Sequence, residues 1–181
     1  METGLIGGTE RREIKIVDYD ESWPEKYRKH ADVIARGLGR AALRIEHIGS
    51  TSVPGLAAKP IIDILVVVPN SADESVYLFQ LQAAGYILRV REPDWNEHRM
   101  FRNPEKDVHI HVLSAGCAEI QRYLTFRDRL RRNVEDRERY ARLKRELATK
   151  EWPNMDAYAN AKTALIEDII AAAQTAGEIS K

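Results

Sequence analysis

The sequence predicts an α+β domain that ends in a helical pack. Three observations carry that class. Residues 61–68, Ile-Ile-Asp-Ile-Leu-Val-Val-Val, form a β-branched run that is apolar on both faces, the pattern of a central buried strand. Strand-length and helix-length segments follow one another in the order β-α-β-β-α-β-β-β-α-α-α. From about residue 118 onward every periodic pattern is helical.

The elements follow in chain order. Residues 1–12 hold three glycines and no period, and read as a flexible leader ahead of a single domain over residues 13–175. Residues 13–18 alternate enough, through Ile14 and Ile16, to read as a short strand. Ser22 with Pro24 and Glu25 reads as a capping box. The helix it opens runs to Leu38, with Tyr27, Ile34 and Leu38 on one face and Gly37 and Gly39 at its end. Residues 42–48 read as a strand, residues 49–60 as a loop, and 61–68 as the central strand. An amphipathic helix over 73–84 stops at Gly85. Strands are expected over 86–91, 98–102 and 108–113, separated by Pro93-Asp94 and Asn103-Pro104-Glu105. Three helices close the chain, over 120–134, 137–150 and 155–173.

Composition excludes several function classes. Among 181 residues, 28 Lys plus Arg balance 28 Asp plus Glu, which argues against a strongly basic nucleic-acid binder or a polyacidic tail. Cys117 is alone, so neither an intrachain disulfide nor a cysteine-based zinc site fits. No apolar run exceeds the five residues of 64–68, far below the roughly 20 residues of a membrane span. The charged first dozen residues do not resemble a signal peptide. A cytoplasmic protein without a membrane partner is expected, its oligomeric state open.

The loop 49–60 is the most informative segment. Gly49 permits close backbone approach, Ser50, Thr51 and Ser52 supply hydroxyls, and Lys59 follows. Such a loop between strands suits a phosphate, or is a plain turn with capping hydroxyls. It lacks the G-x-x-x-x-G-K-[ST] spacing of a Walker loop. Asp63 is the one charge in the central strand. It pairs with Lys59 or an arginine, or it ligates a divalent metal opposite a phosphate. His109 and His111 share one face of a strand, where they hold a metal, orient a substrate or stand as half-exposed histidines. Histidine ligands suit zinc, manganese or iron better than magnesium, so an Asp/His site leaves the metal ambiguous. His47 either supports the loop or packs beneath it. Residues 127–146 carry nine basic side chains, Arg127 first among them, against five acidic ones. This is a solvated helix face with i, i+4 pairs such as Glu138 to Arg142, or a basic wall toward a polyanion or nucleotide. Arg89, Arg91, Arg99 and Arg102 on the middle strands could face the same cleft. No aromatics interleave as a stacking platform, which argues against RNA.

The stretch Glu46-His47-Ile48-Gly49-Ser50-Thr51-Ser52-Val53-Pro54-Gly55-Leu56, followed by Lys59-Pro60-Ile61-Ile62-Asp63-Ile64, closely resembles the GrpB family. So do Asp20-x-x-Trp23-x-x-x-Tyr27, His109-Ile110-His111-Val112, Phe126-Arg127-Asp128 and Tyr140-x-x-Leu143-Lys144. The resemblance covers nearly the whole chain, about residues 14–173. It implies a nucleotidyltransferase-like mixed β-sheet flanked by helices, a Gly-Ser element that holds a nucleotide triphosphate, and strand carboxylates that hold magnesium. Gly49 and Ser50 match the Gly-Ser element and Asp63 matches one strand carboxylate. The sequence departs from the active pattern in two places. Asp63 has Ile61 and Leu65 where a second carboxylate would stand, and His109 and His111 occupy the later strand where a third is expected. Glu46 and Glu97 are the candidates to supply a carboxylate from elsewhere.

Three readings follow. In the first, the protein is a nucleotidyltransferase-like enzyme, with Ser50, Thr51 and Lys59 on the phosphates, a divalent metal on Asp63, His109 and His111, and Glu46, His47 and Arg127 in support. In the second it is an inactive nucleotide- or ligand-binding module that kept the cleft. In the third it is an Asp/His metal-dependent enzyme of another class.

Overall fold

A computed structural model describes residues 4–8 and 13–178. Its strands are β1 (Gly4–Leu5), β2 (Arg44–Ile48), β3 (Ile62–Val68), β4 (Ile87–Glu92), β5 (His98–Arg102) and β6 (Val108–Ser114). Its helices are α1 (Trp23–Leu38), α2 (Leu78–Ala83), α3 (Ala118–Arg132), α4 (Val134–Ala148), α5 (Met155–Asn160) and α6 (Thr163–Thr175). The strands form one sheet in the order β1-β4-β5-β6-β3-β2. Only β3 and β6 pair in parallel; the other neighbours are antiparallel. This is a mixed sheet flanked by helices. No described helix is long and apolar enough to cross a membrane.

The apolar run of β3 is buried on both faces because the two faces meet different layers. Ile62, Ile64, Val66 and Val68 pack with Ile110, Val112 and Phe101 against Trp23, Ile34 and Leu38 of α1 and Leu81 of α2. Leu65 and Val67 turn the other way, onto Ile48, Leu113 and Leu124 of α3. A third cluster, Val53, Leu56, Leu130, Tyr140 and Ile169, ties the loop after β2 to α3, α4 and α6. The second face of the sheet is therefore covered at the far end of β3, while Asp63 near its start lines a cavity with Phe126 of α3 and Tyr140 of α4. Ile110 is fully buried in the first cluster. Ile110→Ala is expected to cost about 2–5 kcal/mol, read as a lower urea midpoint at unchanged slope.

Several elements differ from the sequence reading. Residues 13–18 form no strand; Val17 alone bridges Ala58, through two backbone hydrogen bonds of 2.9 Å. Within the stretch read as a leader, Gly4–Leu5 adds an edge strand to β4; residues 1–3 and 9–12 lie outside the described residues. Ser22 does not cap α1. Its own backbone is already helical, and Asp20 Oδ1 accepts its N–H at 2.8 Å. The helix expected over 73–84 is a 3₁₀ turn, Glu74–Val76, and the short α2. Tyr77 separates them at φ −144°, because its fully buried ring sends the hydroxyl back to donate to the Ser71 carbonyl. The last expected helix is two, α5 and α6, broken at Ala161 and Lys162. Asn133 and Asn154 cap α4 and α5 by accepting from the amides of Asp136 and Ala157.

Candidate functional site

Gly49 leaves β2 at φ +68° and ψ −175°, a conformation that only glycine adopts readily. A Cβ there would stand 2.5 Å from Asp63 Oδ2, so the absence of a side chain lets the carboxylate lie against the backbone. The next three residues form a 3₁₀ turn, and two of their hydroxyls are committed to the loop. Ser52 Oγ donates to the Gly49 carbonyl at 2.6 Å, and Thr51 Oγ1 donates to the Ile61 carbonyl at 3.0 Å. Because the Thr51 proton is used there, His47 Nε2, 3.0 Å away, donates to the same oxygen. Burial pushes His47 down to about 4, so it is neutral, and its ring stacks on Tyr27. His47 thus packs beneath the loop and supports it. Arg127 braces the same loop from α3, donating to the His47 carbonyl at 3.1 Å and to Glu46 Oε2 at 2.7 Å.

Asp63, His109 and His111 converge on the other side of Gly49. The parallel register sets Asp63 beside His109 and Leu65 beside His111, so all three polar side chains share one sheet face. Asp63 Oδ1 is 3.4 Å from His111 Nε2 and 3.6 Å from His109 Nδ1. Burial pushes the Asp63 carboxyl up, but hydrogen bonding and charge from His109 and His111 pull it far below the ordinary carboxylate range. A chain of contacts behind His111 assigns its tautomer. His98, nearly buried, is held neutral because desolvation lowers it to about 3, with His111 and Arg99 adding to the effect. Its Nδ1–H faces Glu92 Oε2 at 2.7 Å, which leaves His98 Nε2 to accept from His111 Nδ1 at 3.1 Å. His111 Nε2 then faces a carboxylate oxygen of Asp63. Two acceptors at 3.4 Å repel unless a proton on His111 or a cation lies between them.

These residues fit a divalent metal. One donor atom from each lies within 4.8 Å of the others, and the two close pairs, at 3.4 and 3.6 Å, lie near the roughly 3.4 Å that separates tetrahedral ligands with bonds near 2.1 Å. The Glu92–His98–His111 chain is the kind of outer support that orients a ligating imidazole. Two imidazoles and one carboxylate suit zinc, manganese or iron better than magnesium.

Beside this cluster lies a cavity of about 180 Å³ lined by Ser50, Lys59, Asp63, His109, Lys144 and Lys162 under the rings of Phe126, Tyr140 and Tyr158. Lys144 Nζ is 2.8 Å from Ser50 Oγ, donates to the Ala57 carbonyl at 2.5 Å and sits 4.7 Å above the Tyr140 ring. Lys162 and Lys59 approach the Tyr158 ring at 4.3 and 5.2 Å. Burial first, then repulsion from neighbouring cations, pushes Lys144 down to about 6 and Lys162 to about 8. Three lysines thus line one small space. The volume is below the roughly 300 Å³ of typical small-molecule pockets.

Gly49, Ser50, Thr51, Lys59, Asp63 and His109 line the cavity, and His111 joins through Asp63. Glu46, His47 and Arg127 stand behind the loop. Neither Glu46 nor Glu97 reaches Asp63: Glu46 is held by Arg44 and Arg127, and Glu97 by Arg99. Of the two readings left open for residues 127–146, the structure bears out the face of paired charges. Arg129 and Arg139 pair with Asp136, Arg139 also with Asp168, and Arg142 with Glu138. Of the strand arginines, Arg91 and Arg99 clasp Glu74, away from the cavity. The sequence reading missed Lys162, Tyr158 and the inward role of Lys144. Only Lys144 carried a signal, as the last residue of the Tyr140-x-x-Leu143-Lys144 stretch.

Fold and site together define a class: a mixed-sheet α+β protein that sets a lysine-lined cavity against an Asp–His–His cluster. The comparisons give the family. The model of the GrpB protein family matches residues 13–172, and the chain belongs to that family. It is similar to a UPF0157 protein of Halalkalibacterium halodurans, 52% identical over 157 residues, which are 87% of this chain and 80% of the relative. A UPF0157 protein of Streptomyces coelicolor is 50% identical over 90% of this chain and 85% of its own. The crystal structure of the conserved protein GrpB from Enterococcus faecalis superposes with a TM-score of 0.78 at 34% identity, covering 88% of this chain and 96% of that one.

Proposed function

We propose that this protein binds a phosphate-bearing small molecule of the nucleotide class, its phosphate end in the lysine cavity and a divalent metal on Asp63, His109 and His111. The observation that carries the reading is the convergence of Lys59, Lys144 and Lys162 on Ser50, next to the Asp–His–His donors. Lys59 and Lys162 neutralise the phosphate, and Ser50 Oγ lines the same space. The metal, when bound, supplies a positive charge that polarises a phosphate oxygen. A volume of about 180 Å³ leaves the rest of the ligand outside the cavity, so little of its affinity comes from the base.

The donor set favours binding over nucleotidyl transfer by the two-metal route. That route clamps two ions, and among the residues lining the cavity Asp63 is the single carboxylate.

Isothermal titration with ATP, GTP, CTP and UTP, with and without Mn²⁺ or Mg²⁺, tests the reading. Binding with little preference among the bases is expected, and it weakens at least tenfold in Lys162→Met. Affinity also falls as pH rises through about 8, because Lys162 is charged below that value and neutral above it. No binding of any nucleotide under any of these conditions would sink the proposal. Turnover above an Ser50→Ala/Asp63→Ala control would extend it to transfer.

A further inference from the structure

Ser50 and Lys144 make a contact that phosphate binding does not need. The hydroxyl oxygen and the amine nitrogen are 2.8 Å apart, and both line the cavity. Lys144 is only 3% exposed, and among the described residues no carboxylate pairs with it. The charged groups that act on it are cations: Lys162 after α5, Lys59 before β3 and Arg145 on its own helix. Tyr140 lies beneath it, while Tyr158 of α5, Asp63 of β3 and His109 of β6 line the same cavity. Burial and this cationic surrounding favour the neutral amine at physiological pH, with a value near 6. A neutral amine has two N–H donors and one lone pair. In the charged state Lys144 donates to both the Ala57 carbonyl and Ser50 Oγ; once it is neutral, the Ala57 carbonyl still accepts one N–H and the lone pair, 2.8 Å from Ser50 Oγ, is placed to take the hydroxyl proton, with Tyr140 hydrogen-bonded to the same serine. A serine held against a desolvated amine is an activated nucleophile.

We propose that Ser50 and Lys144 form a serine–lysine dyad, with Ser50 attacking a phosphate ester held in the cavity. This rests on the phosphate-ester reading above. Ser50 Oγ bonds to phosphorus as its proton passes to Lys144 Nζ. The bond from phosphorus to the leaving oxygen breaks with its electron pair, and Lys144 returns the proton to that oxygen. Neutral Lys144 then takes a proton from a solvent water, whose oxygen attacks the phosphoserine. The Oγ–P bond breaks, Ser50 recovers its proton from Lys144, and phosphate departs. Lys59 and Lys162 face the charge on the transferred group. Ser50 is thereby a catalytic residue and the protein a phosphate-ester hydrolase or phosphoryl transferase.

The test is reaction of the full chain with diisopropyl fluorophosphate, whose phosphorus takes a serine oxygen as fluoride leaves. Mass spectrometry should find one adduct, on Ser50, forming faster as pH rises with a midpoint near 6. The rate should fall at least ~100-fold in Lys144→Met, the lower end of what a general base contributes. Lys144→Arg keeps a cation that cannot take a proton, and should be equally unreactive. The adduct site and the pH profile are read on the unaltered protein, so they stand even where a variant fails to fold. No adduct on Ser50, a rate independent of pH, or undiminished labelling of Lys144→Arg would each overturn the dyad. Titration with inorganic phosphate separates the two readings. Phosphate binding without a Ser50 adduct overturns the dyad alone. A Ser50 adduct without phosphate binding overturns the anion cavity and, with it, the phosphate-ester substrate.

Discussion

Replacing Asp63 with asparagine is expected to abolish divalent-metal binding. Asp63 is the one anionic donor of the cluster, and both imidazoles approach its Oδ1, at 3.4 and 3.6 Å. The amide keeps the shape and removes the charge, so two neutral nitrogens remain. The dissociation constant for Mn²⁺ or Zn²⁺ should rise by at least ~100-fold, the upper end of losses seen when only outer-shell partners are altered. His98→Asn, which removes the partner of His111 Nδ1, is such an outer change and should lose about 10–100-fold. Thermal melts give a second readout. Metal at a hundred times its dissociation constant stabilises by about 2.7 kcal/mol. For a chain of this size that raises the melting temperature by roughly 5–10 °C. The rise should vanish in Asp63→Asn and persist, at higher metal concentration, in His98→Asn. Equal titration of the unaltered protein and Asp63→Asn would show that the metal sits elsewhere.

Gly49→Ala is expected to be among the most damaging single methyl additions in the chain. Two costs act together. The backbone at φ +68° and ψ −175° excludes a side chain at about 1–3 kcal/mol. The new Cβ would meet Asp63 Oδ2 at 2.5 Å and Cγ at 3.2 Å, forcing the carboxylate away from His109 and His111. A combined loss of about 3–5 kcal/mol would lower the melting temperature by roughly 10 °C. A double-mutant cycle separates the parts. In an Asp63→Ala background only the Asp63 Cβ, at 3.1 Å, remains close, so the cost of Gly49→Ala should shrink toward its backbone share. An unchanged cost in that background would mean that the carboxylate is not what Gly49 accommodates.

How much of this was legible beforehand depends on whether a feature is local. The 61–68 run and the H-x-H strand were read correctly because alternation needs no partner to be seen. Asp63 stood out because a charge inside such a run needs an explanation. The 73–84 helix failed because the pattern did not reveal that Tyr77 would bury its ring and tie its hydroxyl to Ser71. The strand expected at 13–18 failed because pairing needs a neighbour, and only Val17 finds one. The arginines of 127–146 were left between a solvated face and a basic wall. Their carboxylate partners decide it, and two of those, Asp168 and Glu178, lie on or beyond a different helix.

Composition and local pattern alone establish the class of fold, the loop, the lone strand carboxylate and the histidine pair, because each follows from charge, size and period along a few residues. The register that sets Asp63 beside His109, the close approach that only Gly49 permits, and the gathering of Lys59, Lys144 and Lys162 around Ser50 belong to the tertiary structure. Those residues lie up to about a hundred positions apart in the chain. Their meeting is decided by which helix covers which end of the sheet. Burial then does what no sequence pattern announces: it turns a lysine that reads as a solvated helix charge into an amine near 6 beside a serine.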